Sequence, residues 1–216
     1  MKKVFNLLWT LALGTLVSGY LSTAFAFTVY TSESDFVAAL DSYYLEEFDG
    51  FSEGDMPSSL DMGPVNGFGY KVLPTKYRFY GLEGALATEN PGYSIQFVLT
   101  GSLANAFGGI FWPTDFDLEN QVADIRIELQ LAGGGKETYT VENAAFDTFI
   151  GFTSQEAFTS IIVAPHDETL WNEVAGDNLY LSADHVYAGS GSSVPVPGTV
   201  WLLASGLIGL AGLRRK

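Results

Sequence analysis

The segment IRIELQL (125–131) puts Ile125, Ile127, Leu129 and Leu131 on one face and Arg126, Glu128 and Gln130 on the other. A period of two is what a strand with one buried face requires, and it rules out a helix for this stretch. Gly133, Gly134 and Gly135 then supply the backbone freedom for a tight turn, and ETYTVE returns as the partner strand. No helix signature and no Lys-Ser/Thr pair follows the glycines, so a phosphate-cradling loop has no support.

Further strands are predicted at 94–99, 107–111, 146–152, 158–163 and 179–187, punctuated by clusters of Gly, Pro, Asn and Asp. That rhythm predicts an all-β fold, a single β-sandwich or jelly-roll-like domain over 27–188. One short N-terminal helix is expected in SESDFVAAL, with Ser32 as N-cap, Asp35 three residues on, and Phe36 and Leu40 on one face. GSGSS (189–193) reads as a flexible linker by composition. The chain has no cysteine, so an exported domain must be held by its core, or by metal, and not by disulfides.

Charge is distributed unevenly. Lys2, Lys3, Arg214, Arg215 and Lys216 take half of the ten cations to the two ends. The interior keeps Lys71, Lys76, Arg78, Arg126 and Lys136 against all twenty-five carboxylates, an excess of twenty negative charges. Such a field repels phosphate backbones, so nucleic acid is excluded as a partner.

Both ends carry processing signatures. Residues 1–26 combine two lysines, an apolar run and small residues ending at Ala24 and Ala26, the layout of a secretory signal peptide cleaved by signal peptidase after Ala26. At the other end, Val194, Pro195, Val196 and Pro197 precede fifteen apolar or small residues, 199–213, and the basic tip Arg214, Arg215 and Lys216. A helix of that length rises about 22 Å, short of the roughly 30 Å hydrocarbon core, and the prolines hinder its extension. Positive flanks stay cytoplasmic, which would leave the domain outside.

This order of proline motif, short apolar helix and basic tip resembles the PEP-CTERM sorting signal of Gram-negative bacteria, in a VPxP-type variant with Val196 where that family has Glu. The resemblance implies a transient inner-membrane anchor at 199–213, tail removal near Pro197 by an exosortase, and release to the outer surface or extracellular matrix. The stretches TVYTSESDFVAAL, EEFDGF, FIGFTSQEAFTSIIV and NLYLSADHVYAG look like the β-sandwich domains often attached to such tails.

Two candidate sites come from the residues themselves. Glu47 and Asp49, near the end of an early strand, are expected to meet Asp177, Asn178 and Asp184, near the start of the last, as hard oxygen ligands for a structural Ca²⁺. The plainer alternative is a set of solvated edge carboxylates. Phe111, Trp112 and Phe116, with Trp171, are expected to offer an aromatic face on which a sugar ring could stack, against the alternative that they close the core. The paired acids Glu46/Glu47 and Asp115/Asp117 do not by themselves make a glycosidase, which needs carboxyls facing across a cleft. His166 and His185 lack zinc-ligand spacing, and no Gly-x-Ser-x-Gly elbow is present. The resulting expectation is a non-catalytic exported surface or matrix protein, processed by an exosortase-type system and associated with exopolysaccharide or biofilm. The competing readings are a carbohydrate-binding module for that polysaccharide and a matrix-acting glycoside hydrolase.

Overall fold

The computed structural model describes residues 27–82, 84–165 and 179–192. The signal segment, the sorting tail, His166, Trp171, Asp177 and Asn178 lie outside these residues.

Fourteen strands and one helix are present among the described residues. In chain order they are β1 (Phe27–Tyr30), α1 (Glu33–Ala38), β2 (Leu40–Glu46), β3 (Gly54–Asp55), β4 (Leu60–Val65), β5 (Phe68–Pro74), β6 (Phe79–Leu82) and β7 (Ala85–Thr88). There follow β8 (Ile95–Gly101), β9 (Ala106–Thr114), β10 (Ala123–Leu131), β11 (Lys136–Ala144), β12 (Phe149–Ser154), β13 (Phe158–Pro165) and β14 (Tyr180–Gly191). They form two antiparallel sheets. The first runs β1-β12-β9-β14-β7-β6-β3, with β2 also paired to β14, and the second runs β11-β10-β13-β8-β5-β4. The fold is the expected β-sandwich.

The predicted hairpin is present in detail. Leu129 pairs with Glu137 and Ile125 with Val141 across β10 and β11, and the inward face Ile125, Ile127, Leu129 and Leu131 is buried. Gly134 turns the chain at φ +86°, a value that glycine adopts without steric cost. Lys136 Nζ lies 2.6 Å from Glu128 Oε2 beside the turn.

Between the sheets sits the main core, where Phe97, Phe107, Phe111, Phe152 and Tyr70 meet the alternating faces of β10, β13 and β14. A second, smaller core covers the outer face of the first sheet: Phe36 of α1 packs there with Phe149, Tyr187 and Ala106. The central strands β9 and β12 are therefore buried on both faces and read as apolar runs without alternation. The space for Phe36 is made by Gly108 and Gly151, which are register partners on β9 and β12. A Cβ on Gly151 would stand 2.6 Å from Phe36 Cδ2.

Two boundaries differ from the sequence reading. The helix starts as expected, with Ser32 Oγ accepting from the Asp35 amide, but it ends at Ala38, and Leu40 opens β2. Leu40 still packs against the outer core, now from a strand. The second correction concerns the linker. Gly189, Ser190 and Gly191 continue β14, paired with Tyr43, Ser42 and Leu40 of β2. Glycine stands at 189 because a Cβ there would come within 2.5 Å of the Ser42 carbonyl and 2.8 Å of Tyr43 Cβ. Close backbone approach, not flexibility, explains the composition.

Candidate functional site

The last strand supplies the most polar feature on the outer face of the first sheet. Along β14, Asp184 pairs with Ile110 of β9 but Tyr187 pairs with Gly108, so three steps on one strand match two on the other. This is a β-bulge, and His185 sits in it at φ +46°. The bulge carries His185 to the start of α1, where its Nδ1 lies 3.0 Å from Glu33 Oε1. Tyr187 donates its hydroxyl to the same oxygen. The His185 backbone amide donates to Asp184 Oδ1 at 2.6 Å, and its Nε2 is 3.9 Å from Asp184 Oδ2.

Partial burial opposes a charge on His185, but the hydrogen bond to Glu33 and the fields of Asp184, Glu33 and Glu47 outweigh it and raise its pKa. Burial raises the pKa of Asp184; the amide and charge of His185 act against that, and Asp49 and Glu47 reinforce it. Histidine thus acts as the internal cation of an acidic corner, fastening α1 to the sheet. A histidine with a higher pKa when folded stabilises fully below its unfolded value, about 6.5, and the contribution is lost as pH rises through the folded value. Asp184, also raised, has its own window, which begins in acid at its unfolded value of 3.8 and closes as pH rises through its folded value; the change above neutral is assigned to His185. The expected result is a melting temperature that falls from neutral to mildly alkaline pH, and a flatter profile for His185→Asn, a residue that tolerates positive φ. An unchanged slope in that variant would place the titration elsewhere.

The described members of the two sets foreseen from sequence are placed as follows. Glu47 and Asp49 are exposed beyond β2 and act on Asp184 through their fields. Among the described residues no group of three or more His, Asp or Glu side chains is disposed to hold a metal ion. Glu46 accepts from the Tyr44 hydroxyl and the Phe48 amide. Asp115 Oδ1 accepts from the amides of Asp117 and Glu119, and its Oδ2 from Gln121 Nε2, so this carboxylate holds a turn.

The aromatic face is not formed by the described members of that set, because β9 lies between β12 and β14 with both faces covered. Phe111 is fully buried between Phe97 and Phe107. Trp112 is buried on the opposite face, edge-on to Phe146 at 5.4 Å, with its indole N–H lacking a hydrogen-bond partner. Phe116 alone is open to solvent, at 78% exposure, in the turn after β9.

A groove that the sequence did not announce lies between the two sheets on one side of the sandwich. Among the described residues β11 closes the second sheet there, pairing with β10 alone, and β1 closes the first, pairing with β12 alone. Between them opens a cavity of about 570 Å³. Its polar lining comes from Thr31, Thr140, Glu142, Asp147 and Thr148, its floor includes the buried Phe149 and Ile150, and Tyr139 stands in its wall. Tyr139 is half-buried and held edge-on against Phe152 at 5.6 Å.

Among the described residues no helix is long and apolar enough to cross a membrane; the run 199–213 lies outside them. No curated protein matches the chain. Two solved structures show a likeness in fold at low scores. One is the C-terminal family 22 carbohydrate binding module of Clostridium thermocellum Xyn10B, 14% identical, covering 73% of this chain and 98% of its own, with TM-score 0.31. The other is CsCBM6-3 from Clostridium stercorarium, solved in complex with cellobiose, 14% identical, covering 76% and 95%, with TM-score 0.26. Residues 193–216 match the family model of the PEP-CTERM protein-sorting motif, and the chain is an exported protein that carries this motif at its C-terminal end.

Proposed function

We propose that residues 27–192 form a non-catalytic domain that an exosortase-type system delivers to the surface or extracellular matrix of a Gram-negative cell, where it works among exopolysaccharide. The observation that carries this reading is the junction between fold and motif. β14 ends at Gly191, Ser192 is tied back to the Ala39 carbonyl and Asp41, and the sorting motif begins at the next residue. A whole β-sandwich therefore ends where the address begins. Of the paired acids weighed for glycoside hydrolysis, Glu46 holds a strand end and Asp115 a turn.

Mass spectrometry of the protein recovered from the surface and medium of producing cells tests the reading. The expected mature chain starts at Phe27 and ends close to Pro197. A surface protein that still ends in Arg215 and Lys216 would contradict exosortase processing.

A further inference from the structure

We propose that the groove between β11 and the β1–β12 edge binds a segment of a neutral, hydroxyl-rich polysaccharide. This goes beyond the export reading and depends on it only for where the polymer is met. At about 570 Å³ the cavity falls within the roughly 300–1,000 Å³ range of small-molecule sites, and it opens to solvent where Thr31, Glu142 and Asp147 are exposed.

The lining selects the ligand class. The hydroxyls of Thr31 and Thr140 can each donate and accept, that of Thr148 accepts from the Ala145 amide and keeps its proton to donate, and the carboxylates of Glu142 and Asp147 accept from paired hydroxyl groups. Tyr139 alternates with Thr140 along β11 and turns its ring inward to the main core, edge-on to Phe152, where it fixes the inner wall of the groove. Among the described residues no Lys or Arg lines the groove. Of the cations nearby, Lys136 is paired with Glu128 beside the hairpin turn, and Arg126, the register partner of Thr140, stands on β10 behind the edge strand and acts on Glu128 through its field. A uronate or sulfated polymer would bring its charges toward two carboxylates in a lining without a cation of its own, whereas a neutral sugar brings hydroxyls alone.

Affinity electrophoresis of the exported protein through gels containing xyloglucan, galactomannan or dextran, and through gels containing alginate or hyaluronan, tests this directly. Retardation is expected in at least one neutral polymer and in neither anionic one. The double variant Glu142→Gln/Asp147→Asn is expected to lose about tenfold in affinity or more, because hydrogen bonds to charged acceptors are the stronger ones. Both side chains are exposed, and asparagine accommodates the φ of +67° at 147, so the variant should fold as the parent does. Tyr139→Phe keeps the ring and is expected to cost less than the double variant. Migration unretarded in every neutral gel, with a native circular dichroism spectrum, would overturn the proposal. So would retardation by alginate or hyaluronan, or undiminished retardation of the double variant. The mature mass is a separate readout, so loss of binding leaves the export reading standing.

Discussion

Replacing Phe36 by alanine is expected to lower the free energy of unfolding by about 3–5 kcal/mol, the range for a large aromatic removed from a packed interior. Phe36 is fully buried although it belongs to a helix of only six residues on the outside of a sheet. Such a short helix has no stability of its own and is held by what it docks against. Its ring lies 5.6 Å from Tyr30, 5.5 Å from Phe149 and 5.8 Å from Tyr187 by centroid, so one side chain joins β1, β12 and β14. Urea denaturation measures the loss, and a change below about 1 kcal/mol would mean that the outer core closes without this ring. The floor of the notch gives a second measurement. Gly151→Ala places a methyl group 2.6 Å from Phe36 Cδ2 and should destabilise by about 1–3 kcal/mol through overpacking. In the double variant the ring is gone and that added methyl meets open space, so the two losses should not add.

The notch also explains which parts of the fold could be read from the chain. β10 and β11 were legible because one face of each is solvated, and alternation survives only under that condition. β9 and β12 carry cover on both faces, so their sequence shows an apolar run whose ends are poorly marked. The expected strand at 146–152 accordingly began too early: Phe146 is exposed in the turn and β12 starts at Phe149. The short strands β3 to β7 left no periodic signal, being two to seven residues long and rich in glycine and proline.

The bulge was legible in principle. The residues of β14 that enter the main core are Leu181, Ala183, Val186 and Ala188, a spacing of two, three and two that betrays one extra residue near His185. Its partner was not legible, since Glu33 stands 152 positions away and nothing local links them. The groove was hidden for a different reason: all of its lining but Thr31 lies within 139–150, yet nothing in that stretch tells that the chain passes there from the edge of one sheet to the other. The aromatic cluster at 111–116 misled because a strand alternates its side chains. Phe111 and Trp112 turn to opposite faces, and only the residues beyond the strand's end reach solvent.

The end of β14 allows the link between fold and sorting to be tested through Asn105. Its side chain donates from Nδ2 to the carbonyls of Ser154, at 2.9 Å, and Gly191, at 3.1 Å, and its Oδ1 accepts from the Gly191 amide at 2.9 Å. Its backbone amide donates to the Gly189 carbonyl, and its carbonyl accepts from Ser154. One residue therefore pins the last two turns of the pleat immediately before the motif at 193. Asn105→Ala removes the three side-chain bonds, and at about 1 kcal/mol each the expected loss is about 2–3 kcal/mol. Because Gly191 is the last residue of β14 and the next residue, Ser192, is exposed, much of this should appear as local opening of the strand end, with amide exchange at 189–191 accelerated more than in the core. The wild-type tether between fold and motif is very short, so release of these residues should lengthen it and speed tail removal by the sorting enzyme. Asn105→Asp keeps the acceptor for Gly191 but turns a charged oxygen toward two carbonyls, and should open the same corner further. Faster exchange confined to 189–191 together with faster maturation would tie the strand end to processing. Faster exchange with unchanged maturation would show that the enzyme reaches its motif without any give in the fold.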